Sequence, residues 1–214
     1  MIQGVTVYGL IAENTYFYID DNTKHGFIID PGAQGKALME MADMNGWTID
    51  KILITHGHFD HIGGIAELRT CAAENSKNIT VCAYEKSEKY LTDPEWNLSG
   101  LYGPDITVKN VVYFKEGDII KLDDEEAELE LTVYPTPGHT LDGVVLYSEK
   151  DCVAFTGDTI FKGSFGRTDY PGGDYEQLMQ SIKNIVLKLP DDTVLYSGHS
   201  AATTVKDEKH MYGL

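Results

Sequence analysis

Lysine and arginine are scarce: the 214-residue chain holds 17 of them against 34 aspartates and glutamates, a net charge of −17 at pH 7. So acidic a surface repels polyphosphate and anionic lipid, which excludes nucleic acid and membrane as expected partners. No apolar run approaches the roughly 20 residues that span a bilayer. The opening MIQGVTVYGLIAENTYFYID has neither the basic segment nor the uninterrupted apolar core of a secretory signal, so the expected location is the cytoplasm. Cysteine is rarer still. Cys71, Cys82 and Cys152 are scattered, with no C-x-x-C pair, so buried thiols are expected in place of a disulfide framework or a thiolate zinc site. Internal repeats, low-complexity tracts and linkers are missing too, which leaves one domain over residues 1–214.

Short β-rich runs, such as Gly26-Phe27-Ile28-Ile29-Asp30 and Lys51-Ile52-Leu53-Ile54-Thr55, stop at polar or glycine-containing segments and read as buried strands. Helical patterns lie between them. Residues 34 to 46 carry Ala37, Leu38, Met41, Ala42 and Met44 before Gly46, and residues 62 to 75 suit a second helix. Asp174 precedes Gln177 by three positions, and Leu178, Ile182, Ile185 and Leu189 then recur at helical spacing until Pro190. The stretch from Tyr84 to Pro104 predicts a short helix and an irregular excursion suited to a pocket wall. The acidic run 123–130 reads as a solvated loop entering a strand. The class is α/β.

Histidine is also scarce, at seven residues, yet three fall within Thr55-His56-Gly57-His58-Phe59-Asp60-His61-Ile62-Gly63-Gly64. A strand ending at Thr55 would carry His56, His58 and Asp60 on alternate positions just beyond it, with His61 breaking the alternation, so that one loop aims several donors at a common point. Three further strand-like runs each end in a glycine followed by a donor: His139, Asp158 and His199. Imidazole and carboxylate suit zinc, iron and manganese. Seven donors exceed the four of one tetrahedral ion, which points to two adjacent cations. His25 and His210 have no clustered partners and read as ordinary polar residues.

The H-x-H-x-D-H spacing at 56–61, followed by Pro137-Gly138-His139-Thr140, Phe155-Thr156-Gly157-Asp158 and Ser197-Gly198-His199, resembles the metallo-β-lactamase superfamily, as does Asp30 in its Asp-Pro-Gly turn. The resemblance covers most of the chain and implies a four-layered αβ/βα sandwich with two divalent metals, zinc or else iron or manganese, at one edge. Carried over, His56, His58 and His139 would hold the first metal, Asp60, His61 and His199 the second, and Asp158 would bridge them. A hydroxide shared by the metals would be the nucleophile, oriented by Asp60.

Gly163-Ser164-Phe165-Gly166-Arg167-Thr168-Asp169 resembles a segment of short glyoxalase II-like hydroxyacylglutathione hydrolases. That implies a small acyl-thiol substrate such as S-lactoylglutathione, with Arg167 as the cation for a substrate carboxylate. Three features depart from the pattern: no C-terminal helical glutathione-binding domain is expected, Asp142 stands where glycine is usual, and Ser200-Ala201 stands where Gly-Pro is often found. The rival readings are a single-iron persulfide dioxygenase, another ester or lactone hydrolase of this fold, and a non-catalytic metal-binding protein.

Overall fold

The computed structural model describes residues 1–74 and 79–212. Two six-stranded sheets face each other. The first has the order β1 (Ile2–Tyr8), β2 (Ala12–Ile19), β3 (His25–Ile29), β4 (Thr48–Leu53), β5 (Thr80–Tyr84), β6 (Val111–Phe114). Its first three strands are antiparallel and the rest join in parallel through crossovers. The second comprises β7 (Ile119–Lys121), β8 (Glu130–Pro135), β9 (Val144–Ser148), β10 (Val153–Gly157), β13 (Val194–Ser197) and β14 (Thr203–Thr204), with β11 (Ile160–Phe161) and β12 (Ser164–Phe165) forming a separate ribbon. Helices α1 (Gly35–Met44) and α3 (Ile65–Glu74) lie after β3 and after the one-turn α2 (Phe59–Ile62); the short α4 (Glu88–Thr92) and α5 (Ser99–Tyr102) follow β5, and α6 (Tyr175–Asn184) and α7 (Val205–Met211) belong to the second half.

Alternation of side chains across each strand builds the four layers. Tyr16, Tyr18, Phe27, Ile29 and Leu53 of the first sheet meet Val133, Val144, Leu146, Val153 and Phe155 of the second in one buried cluster. Their neighbours Phe17, Ile19, Ile28 and Ile52 face outward onto Leu38, Met39, Ala42, Ile65 and Leu68 of α1 and α3. Likewise Val145, Tyr147 and Ala154 face Leu178, Ile182 and Val205 of α6 and α7. Strands covered on both faces read as continuous apolar runs, which is why they were visible in the sequence. The expected αβ/βα sandwich is the observed one.

Local differences have local causes. The helix expected over 62–75 begins at Ile65, because Gly63 and Gly64 intervene and the Gly64 N–H is drawn to the Pro31 carbonyl at 2.8 Å; Asn75 lies outside the described residues. Asp174 caps α6, its side chain accepting from the Gln177 N–H at 2.9 Å, but the α-helix ends at Asn184 and continues only as a 3-10 turn over Val186–Lys188. Of the three thiols only Cys82 is buried, while Cys71 and Cys152 are partly exposed. His25 pairs with Asp50 at 2.8 Å. Among the described residues no helix is long and apolar enough to cross a membrane.

Candidate metal centre

All seven predicted donors converge where strands of both sheets end. β4 stops at Leu53 and the backbone remains extended at His58 (φ −67°, ψ 150°). At Phe59 it winds into α2. Asp60 therefore does not continue the strand alternation expected of it, while His61 breaks that alternation as expected. A helical turn rotates successive side chains by about 100°, and this swings them toward a second group of donors. His139, Asp158 and His199 follow β8, β10 and β13. Bare backbone lets these loops close in: a Cβ on Gly198 would lie 2.6 Å from Asp158 Oδ1, and one on Gly157, at φ 48°, would lie 2.2 Å from Thr55 Oγ1.

His56 Nε2 and His139 Nε2 stand 3.1 and 3.0 Å from His58 Nδ1. Donors on a tetrahedron with zinc bonds of about 2.0–2.1 Å sit ~3.3 Å apart, so this spacing suits three ligands around one ion. Asp60, His61 and His199 form another group. Asp158 lies between the two, with Oδ2 at 3.6 Å from His139 Nε2 and 3.4 Å from His199 Nε2, and Oδ1 at 3.4 Å from His61 Nε2. Outer partners fix the rings: Nδ1–H donates to the Arg167 carbonyl from His139 (2.6 Å), to the Ala12 carbonyl from His199 (2.8 Å) and to Asp30 from His61 (2.9 Å). Each Nε2 lone pair is thereby turned inward. His61 Nε2 and Asp158 Oδ1 are buried 3.4 Å apart without a well-formed hydrogen bond, as two ligands of one cation would be.

The electrostatics divide the site. Burial drives His56 and His139 down and His58 to about 3, keeping these imidazoles neutral with free lone pairs. Burial acts the same way on His61, but the Asp30 and Asp158 carboxylates outweigh it and raise that group. At His199, burial is outweighed by hydrogen bonds to Asp158 and Asp60, which lift it to about 10. Burial would raise Asp158, yet its paired histidines hold it well below the ordinary carboxylate range. A cation entering this half exchanges places with protons.

Residues 8–199 match the metallo-beta-lactamase superfamily. The chain belongs to that superfamily. It is 35% identical over 192 residues to hydroxyacylglutathione hydrolase GloC of Haemophilus influenzae, covering 88% of this chain and 86% of that one. Among solved structures it superposes on the BLEG-1 B3 metallo-beta-lactamase with a TM-score of 0.88 at 34% identity, covering 98% and 97% of the two chains. It superposes on TTHA1623 in a di-iron-bound form with a TM-score of 0.80 at 29% identity, covering 98% of each.

Beside the superfamily's donor cluster opens a cleft of about 380 Å³, and Arg167 lines it. The guanidinium is already engaged: Nε and one terminal nitrogen both donate to Asp169 at 2.6 Å, and the plane stacks 4.0 Å over the Tyr170 ring. The excursion from Tyr84 to Pro104, expected to form a pocket wall, supplies Leu98 and Tyr102 to this cleft; the sequence did not mark Phe59, Phe165 and Tyr170 as wall, nor Glu13, whose buried carboxyl lies 3.8 Å from His61 Nδ1 and is held well above its ordinary range by burial. None of these four is itself a motif residue; strand alternation could have placed Glu13 inside but not beside His61. Asp30, part of the resemblance, takes on a definite task. At φ 49° it turns its carboxylate onto the Thr55 N–H (2.8 Å), the Thr55 hydroxyl and His61.

Proposed function

We propose that the protein is a metal-dependent hydrolase that cleaves acyl thioesters, the class that includes S-lactoylglutathione. The observation that carries this is the meeting of His56, His58 and His139 with Asp60, His61 and His199 around Asp158. The first three would hold one divalent ion and the second three another, with Asp158 shared; zinc fits this nitrogen and oxygen set, as do iron and manganese. Bound there, the ions would supply Lewis acidity and acidify a water molecule.

The chain's own residues do the rest. Burial opposes ionisation of Asp60, but its hydrogen bond with His199 keeps it below its usual value, so at the cleft floor it is a carboxylate acceptor that orients a water proton. The Arg167 carbonyl and Asp30 hold His139 and His61 in their working tautomers. The thioester choice rests on the 163–169 segment and on the similarity to GloC.

Metal analysis of the purified protein, followed by thioester, lactone, β-lactam and phosphoester assays, tests the reading. Two ions per chain and metal-dependent thiol release are expected. Oxygen uptake with a persulfide, one iron per chain and no thioester turnover would overturn it.

A further inference from the structure

The cleft is walled by carbon. Phe59, Leu98, Tyr102, Phe161, Phe165 and Tyr170 line it around the donors. Tyr102 stacks on Phe59 with ring centroids 5.5 Å apart and stands edge-on to Tyr170 at 6.5 Å, the two hydroxyls bonded to each other. Those hydroxyls thus satisfy one another and leave ring surface toward the cleft. The rim continues in kind: Ile11, Tyr102 and Phe165 are exposed at 42, 43 and 36%, and Leu10 reaches the backbone at Gly103 beside α5.

Charge in the cleft is already committed. Apart from histidine, its charged lining is Asp60 and Asp158, both donors of the metal centre, and Arg167, whose fork is filled by Asp169. Glutathione brings two carboxylates. In this cleft they would lose water with the one arginine already engaged by Asp169 and with Asp60 and Asp158 committed to the metal centre, within a protein of net charge −17. An alkyl or aryl body, in contrast, would cover exposed aromatic surface that otherwise stays wet.

We propose that the cleft selects uncharged thioesters carrying an alkyl or aryl body, seated against Phe59, Tyr102 and Phe165, over thioesters of glutathione. The inference rests on the thioesterase reading and names its substrate class. In the reaction, the water oxygen bonds to the acyl carbon and the carbon–sulfur bond breaks. One water proton goes to the departing thiolate and the other is released as the carboxylic acid ionises.

Two measurements on the metal-loaded protein test this. First, kcat/KM is compared for the phenylacetyl thioesters of N-acetylcysteamine and of glutathione, and for the acetyl thioester of N-acetylcysteamine. The neutral phenylacetyl compound should exceed the other two at least tenfold, and Tyr102→Ala or Phe165→Ala should collapse the phenylacetyl-to-acetyl ratio, chiefly through KM. Second, calorimetry compares uncleavable thioethers of the same two thiols, in which a methylene separates sulfur from the carbonyl, and the neutral one should bind at least tenfold tighter. A glutathione compound that binds tighter or turns over faster overturns the inference while leaving the thioesterase reading intact. Preferential binding of the neutral thioether without hydrolysis of any thioester supports the cleft's selectivity and defeats the thioesterase reading.

Discussion

The backbone N–H of Gly57, between His56 and His58, donates to the buried carboxylate of Asp142 at 3.0 Å, so the loop of the first two donors is tied to the loop of His139. Burial, partly offset by the nearby Thr140 and Ser87 hydroxyls, pushes Asp142 from 3.8 up to about 6. The folded protein therefore binds a proton more tightly there than the unfolded chain. Stability is lost as pH rises from about 4 to about 6, by roughly 3 kcal/mol, and the deficit persists above. Asp142→Asn keeps an acceptor for Gly57 and removes the charge. In the metal-free protein its stability advantage should grow between pH 4 and 6 and then stay level, as read by urea unfolding at a series of pH values. An advantage equal at every pH would show that the charge is not the cause.

Asp142→Gly removes the tie itself. Losses of about 10- to 100-fold in metal affinity are typical when a supporting partner of a ligand is removed, and chelator competition should find that loss at the His56, His58 and His139 group, with Asp142→Asn largely restoring affinity.

Asp30 combines a left-handed backbone with three buried acceptor contacts. Asp30→Asn tolerates that backbone but offers His61 a poorer partner, so one of the two metal equivalents should weaken about 10- to 100-fold. Asp30→Ala adds backbone strain and unmet buried donors, and should also lower the unfolding free energy read from denaturant titration by ~2–4 kcal/mol.

Cation removal should be felt by the whole fold, because the donors come from both sheets. At a free metal concentration 100 times Kd the gain is about 2.7 kcal/mol, or roughly 5–10 °C in Tm for a chain of this size. Differential scanning calorimetry across a zinc titration checks this. Asp158→Ala should blunt the shift and abolish metal-dependent turnover while circular dichroism stays native, as should His58→Ala.

Asp174→Ala should cost about 1 kcal/mol through the lost N-cap on α6. Turnover by the folded fraction should be unaffected, since the bond anchoring the His139 loop runs from the Asp174 backbone N–H to the Gly138 carbonyl at 2.7 Å. A large drop in turnover would show that the side chain also positions the loop.

The layers were legible because strands such as Phe27–Ile29 and Val153–Phe155 are covered on both faces, and the donors because histidine is rare and clustered. The turn at Phe59 was not, since His58-Phe59-Asp60 fits extended and helical backbone equally well until Asn97 accepts the Phe59 N–H at 2.9 Å. Only part of the aromatic cleft was legible: the 84–104 stretch that carries Tyr102 read as a pocket wall, whereas Phe59, Phe165 and Tyr170 come from other segments, and an isolated aromatic in a sequence is more often core than wall. Arg167 was visible as a charge, but its engagement by Asp169 depends on how the backbone folds over 167–169.

The division of donors between the two sheets also sets an order of assembly. His56, His58, Asp60 and His61 leave the ribosome before any strand of the second sheet exists, and His199 arrives only with β13. An ion met early finds an incomplete cage. The set of seven donors is thus complete only once β13 has joined the second sheet, so an ion held by all of them would report that the two sheets have closed.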